Sequence, residues 1–133
     1  MKMYTGLLLA FLLMVIACEK DDSPSDTFSN SLTLGTGLNP DNLFELTGEG
    51  TEFNGGSLVY FRLESTADMK GSPVRIKIKE GAADVIELDF PSLQESGHIY
   101  LSSFAVPIAG HYTATGILTV GNKEVASINF TTI

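Results

Sequence analysis

The chain has one cysteine, no tryptophan and two histidines among its 133 residues. A lone thiol forms no internal disulfide and no thiolate metal cluster, so the fold must stand on its apolar core. Cations are scarce too: eight Lys and Arg face sixteen Asp and Glu, for a formal net charge of −8. Nucleic-acid binding proteins neutralise phosphates with Lys and Arg, and peripheral proteins reach anionic lipid through polybasic segments. This composition suits neither. Catalytic signatures are also missing: no Gly-x-Ser-x-Gly elbow, phosphate loop, His-Glu-x-x-His pair or EF-hand spacing occurs. The expectation is a protein that is not an enzyme, with no cofactor, no metal site and no nucleic-acid partner. A small hydrolase is the most distant alternative.

Long apolar stretches with a 3.6-residue period are absent after residue 17. What recurs instead is alternation with a period of two, bounded by Gly, Pro, Asn and Asp, which is the pattern of half-buried strands. In Val74-Arg75-Ile76-Lys77-Ile78-Lys79 the apolar residues point one way and the cations the other. Val85-Ile86-Glu87-Leu88-Asp89-Phe90 answers it. With Ile78 opposite Ile86, Ile76 meets Leu88, Val74 meets Phe90, Lys77 meets Glu87 and Arg75 meets Asp89. Apolar and charged registers agree, so the pairing is firmly specified. Arg75, Lys77 and Lys79 then read as a solvated face of cross-strand ion pairs rather than an anion site.

A second hairpin is expected at the C-terminal end. Tyr112, Ala114, Leu118 and Val120 share one face, and Ala126, Ile128 and Phe130 share the facing one. A three-residue turn with Asn122 or Lys123 in the left-handed region, or a bulge beside it, places Leu118 opposite Ala126 and Ala114 opposite Phe130. Further strands are expected at 57–65 (Val59, Phe61 and Leu63 inward), at 98–104 (Ile99 and Leu101 inward), near 31–38 and near 43–46. About seven strands in about 100 residues suit an all-β, antiparallel sandwich.

The segment Phe104-Ala-Val-Pro107-Ile-Ala-Gly110-His-Tyr112 resembles the corner that opens a late strand of immunoglobulin-like domains, where a Gly-x-Tyr places the Tyr hydroxyl on backbone a few residues upstream. The resemblance implies an immunoglobulin-like or fibronectin-type sandwich over residues 31–133, with Tyr112 structural. The Cys pair and core Trp of antibody domains are missing here.

The N-terminus addresses location. Lys2 precedes an apolar run that ends at Val15-Ile16-Ala17-Cys18, too short for the ~20 residues of a spanning helix and cut off by Glu19-Lys20-Asp21-Asp22. This is the anatomy of an export signal. Ala17-Cys18 resembles the lipobox of bacterial lipoproteins, which implies acylation of Cys18 and removal of residues 1–17. Glu19-Lys20-Asp21-Asp22 is similar to the lysine-plus-acids signal of some Gram-negative surface lipoproteins. That implies a lipid-anchored protein of the outer membrane facing the exterior. Residues 18–30, rich in Asp, Ser and Pro, read as a flexible acidic tether.

One surface cluster is a candidate ligand site. In an immunoglobulin-like sandwich the strands at 57–65 and 98–104 are antiparallel neighbours. Tyr60, Arg62, His98 and Tyr100 are expected on their shared outer face, and aromatics with Arg are common in binding surfaces. Glu49 and Glu52, flanking the Gly48–Gly56 stretch, are a weaker candidate for a cation loop. The function expected is a lipid-anchored surface module that binds a glycan or a protein. The alternative is an accessory subunit of a surface complex.

Overall fold

The computed structural model describes residues 28–69, 71–92 and 97–133. The export segment 1–17, Cys18 and most of the 18–30 connection lie outside the described residues. Among the described residues the chain is all β. Its strands are β1 (Ser31–Gly35), β2 (Gly37–Leu38), β3 (Leu46–Thr47), β4 (Glu52–Phe53), β5 (Leu58–Glu64), β6 (Val74–Glu80), β7 (Ala83–Phe90), β8 (Ile99–Ala105), β9 (Gly110–Leu118) and β10 (Lys123–Thr132). Three of them, β2, β3 and β4, are two residues long. The longer ones build the sandwich, in the number the sequence pattern implies.

One sheet has the order β1-β5-β8, the other β4-β10-β9-β6-β7, and β2 with β3 forms a separate ribbon. All neighbours are antiparallel except β4, which runs parallel to the end of β10. This is an immunoglobulin-like arrangement, with β5 and β8 side by side as expected of its second and fifth strands.

The hairpin β6–β7 has the register read from its sequence: Val74↔Phe90, Arg75↔Asp89, Ile76↔Leu88, Lys77↔Glu87 and Ile78↔Ile86. A bulge after Ile78 then pairs Lys79 with Asp84. Arg75 Nε lies 2.7 Å from Asp89 Oδ1, whereas Lys77 Nζ stays 3.9 Å from Glu87. Arg75 therefore holds the Asp89 carboxyl below its ordinary range, chiefly by a hydrogen bond. Val74, Ile76 and Ile78 are wholly buried.

The C-terminal hairpin differs from expectation. Leu118 pairs with Lys123, Ala114 with Ile128 and Tyr112 with Phe130. Neither the Leu118–Ala126 nor the Ala114–Phe130 pairing forms. The loop spans four residues, 119–122, so Val120 is exposed in the turn instead of facing inward. Asn122 is in the left-handed region, as foreseen, at φ 49°. A bulge at Val125, between Glu124 and Ala126, absorbs the extra step and returns the apolar faces to register. The strand expected near 43–46 also moves: β3 starts at Leu46, which is buried, and Leu43 and Phe44 lie exposed in the preceding loop.

Between the sheets an aromatic belt does the work that a disulfide and tryptophan do in antibody domains. Phe61 is central: its ring centroid lies 5.3 Å from that of Phe90, 6.3 Å from Tyr100 and 6.2 Å from Phe104. The belt continues from Phe104 to Phe130 at 5.9 Å and on to Tyr112 at 5.6 Å. Each such contact is worth about 0.5–1.5 kcal/mol beyond area burial. The sheets pack tightly at Gly116, where a Cβ would sit 2.6 Å from Leu63 Cδ1. Only a residue without a side chain lets Leu63 pack there.

Candidate functional site

Tyr60 and Arg62 do point outward from β5, as alternation requires, with Val59, Phe61 and Leu63 buried between them. Tyr100 does not join them. It pairs with Leu63 on the inner face and is 3% exposed, while Leu101 takes the outward place opposite Arg62. The inward set of β8 is therefore Tyr100 and Phe104, not Ile99 and Leu101. Two aromatic rings bury more apolar area than two aliphatic chains, and the small Ser102 opposite Phe61 leaves room for its ring between theirs. The Tyr100 hydroxyl donates to the Pro91 carbonyl at 2.6 Å, and burial raises its pKa above the ordinary tyrosine value.

The other members of the expected cluster are occupied as well. Arg62 Nη1 bonds Glu64 Oε1 at 2.7 Å, and its Nε donates to the Phe44 carbonyl at 2.7 Å. It ties the 39–45 loop onto the sheet. His98 is half-buried: Nδ1 lies 3.0 Å from the Ser65 carbonyl, and its ring stacks on Phe28 at 4.1 Å. Glu64 also accepts from the Ser29 amide at 2.6 Å. That backbone bond, ahead of the Arg62 contacts, holds the Glu64 carboxyl below its ordinary value. Arg62, His98 and Glu64 thus build the pole where the chain joins the sandwich.

Tyr60 belongs to a different site. It lines a groove of about 580 Å³ with Thr36, Glu52, Phe53, Ser57, Leu58 and Ile133. The groove lies toward the other end of β5, about 13 Å from Glu64 at Tyr60 and about 20 Å at Leu58 by strand rise. Its walls come from the segment after β1, from β4, from the start of β5 and from the residue after β10. Backbone bonds hold them together: Ile133 N to the Phe53 carbonyl and Gly55 N to the Ile133 carbonyl, both 2.9 Å, and Gly56 N to the Val106 carbonyl at 3.0 Å. Sequence reasoning reached Tyr60 and Glu52 separately, but not their meeting. The available signal was the Gly48–Gly56 stretch, which reads as a loop yet folds as β4 plus a tight connection into β5.

The corner beside the groove is as the sequence suggested. The buried Tyr112 hydroxyl donates to the Ile108 carbonyl at 2.7 Å, and the buried Thr132 hydroxyl donates to the same oxygen at 2.6 Å. On the outer face of the larger sheet, hydroxyls pair across strands: Thr113 with Asn129 at 2.8 Å, Thr115 with Ser127 at 2.9 Å, and Thr131 with His111 Nδ1 at 3.0 Å. Among the described residues no group of three or more His, Cys, Asp or Glu side chains is placed to hold a metal ion. Glu49 and Glu52 thus lack a third ligand of that kind.

No protein-family model matches the chain, and no curated protein matches it. Among solved structures, it is similar to the crystal structure of the PmoD soluble domain from Methylocystis sp. strain Rockwell. The match has 16% sequence identity and a TM-score of 0.45, over 77% of this chain and 89% of that chain.

Proposed function

We propose that the protein is a lipid-anchored, non-catalytic interaction module of the bacterial cell surface, held through Cys18. It presents the groove beside Tyr60 to a partner outside the cell. The observation that carries the reading is polarity along β5. The chain joins the sandwich beside Glu64, where Ser29 is bonded, and the groove opens at the opposite pole, between Leu58 and Ile133. A module tethered by its N-terminus holds such a groove away from the bilayer. The sequence supports the address: the Ala17-Cys18 junction resembles a lipobox, and Glu19-Lys20-Asp21-Asp22 is similar to a surface-export signal.

The experiment is made on the full chain in its own cells. Mass spectrometry of membrane-extracted protein should find acyl groups on Cys18, external protease should digest the domain in intact cells, and Cys18→Ala should move it to the soluble fraction. A photo-crosslinking residue at Tyr60 should form an adduct with a surface component. An unmodified Cys18 on the mature protein, or a protease-resistant domain in intact cells, would overturn the reading.

A further inference from the structure

Beside the groove, the anchor-distal pole carries Leu58, Ile108 and Ile133, which are 54%, 68% and 64% exposed. Exposed apolar residues scattered singly need no explanation. Leu58 and Ile133 line one groove, and a Cβ at Gly55 would meet the Pro107 carbonyl at 3.2 Å and the Ile133 carbonyl at 3.5 Å, so the backbone leading into Ile108 runs past the same segment. Their backbones are also fixed. The Ile108 carbonyl accepts from two buried hydroxyls, those of Tyr112 and Thr132. Ile133 is bonded on both sides to the 53–55 segment, and Leu58 lies within β5. Ordering costs at this pole are thus met by folding, which leaves more of any contact energy for binding.

The charge beside these residues has one sign. Glu52 is the one ionisable side chain of that sign or the other in the groove wall, apart from the Tyr60 phenol, and Glu49 precedes it in the same connection. Neither carboxylate makes an ion pair among the described residues, as is also true of Asp41, Glu45, Glu80 and Glu124. We infer that this groove receives a segment of a neighbouring protein that presents apolar side chains beside a lysine or arginine. The inference deepens the interaction-module reading and rests on it. Anionic lipid is disfavoured by the free carboxylates. A sugar would find the half-buried Tyr60 ring and the polar Thr36, Asn54 and Ser57 side chains, so competition by glycans is the control that separates that occupant from a peptide.

The test uses the full-length chain in nanodiscs of zwitterionic lipid, with a benzophenone amino acid at position 58, 108 or 127. Position 127 is on the outer face of the larger sheet, away from the groove. The probes are two fluorescent peptides matched in length and leucine content, one with lysines and one with glutamates. The lysine peptide should crosslink at 58 and 108 about tenfold more than at 127 and about tenfold more than the glutamate peptide, a factor equivalent to about 1.4 kcal/mol. Glu52→Lys should reverse the preference, and Leu58→Ser with Ile108→Ser should abolish both adducts without lowering the melting temperature. Equal yields at the three positions, indifference to peptide charge, or displacement by a glycan mixture would overturn the inference. The same crosslinkers in intact cells separate the two levels. Adducts at 127 but not at 58 or 108 would overturn the choice of pole and leave the module standing, and adducts nowhere would overturn both.

Discussion

At the residue scale, one carbonyl shows how this fold replaces what it lacks. Ile108 O takes a hydrogen bond from Tyr112 and another from Thr132, so each donor insures the other. Tyr112→Phe should cost about 1 kcal/mol, the net worth of one hydrogen bond. Thr132→Val should cost a similar amount. The double variant should cost more than the sum, because a carbonyl without either donor is left unsatisfied beside the core. Denaturant melts of the three variants check this, and strict additivity would mean that water reaches the oxygen. Gly116 poses the opposite problem, of space rather than polarity. Gly116→Ala drives a methyl into Leu63 from the facing sheet, and overpacking of that kind should cost about 1–3 kcal/mol. Leu63→Val in the same chain should recover part of the loss, which a purely conformational effect of glycine would not allow.

At the scale of elements, the two hairpins show what was legible in the sequence and what was not. The β6–β7 register could be read because two independent patterns agree in it: apolar residues pair with apolar, and Lys77 and Arg75 meet Glu87 and Asp89. Ile76→Ala should therefore cost about 2–5 kcal/mol. Lys77→Ala should cost less than about 1 kcal/mol, because its partner is 3.9 Å away and exposed. Comparable costs would mean that the strand's charged face supports more than itself. The β9–β10 hairpin could not be read in the same way. Its outer face is Thr, Ser, Asn and His, whose hydroxyl and amide pairs tolerate a shift that charges would forbid. Loop length and bulge then trade against each other without any trace in composition. Tyr100 was missed for a related reason. In β8 both faces offer apolar residues, Ile99 with Leu101 or Tyr100 with Phe104, so alternation alone does not choose. The choice is made by the space around Phe61 in the opposite register, a tertiary fact. The candidate site was accordingly legible only as separate residues. Tyr60 and Leu58 follow from the period of β5, but the groove needs the parallel pairing of β4 with β10, and two-residue strands leave no period to read.

For the whole molecule, the acidic composition and the N-terminal entry of the chain into the sandwich meet at Glu64. Composition alone places the boundary of the sandwich at residue 31, yet Phe28 stacks on His98, Ser29 bonds Glu64, and Asn30 accepts from the Thr66 amide at 2.9 Å. Residues 28–30 are therefore part of the fold, and their removal should be felt in the dependence of stability on acid. The Glu64 carboxyl lies below its ordinary value of 4.5, chiefly through the Ser29 amide. With a depressed folded pKa, the unfolded chain binds the proton first. The stabilisation is complete above the unfolded value and is lost as pH falls through the folded one. A chain that begins at residue 28 should keep this acid-sensitive component. One that begins at residue 31 should lose stability at pH 7 and show a shallower fall below pH ~4.5, since the contact that binds the charged form is gone. Glu64→Gln in the longer chain should reproduce the shallower fall while keeping the Phe28–His98 stack. Melting curves from pH 7 downward on the three proteins decide the matter. If the two chain lengths unfold in parallel at every pH, residues 28–30 contribute nothing to the sandwich, and the pole where they join is not fixed relative to the groove.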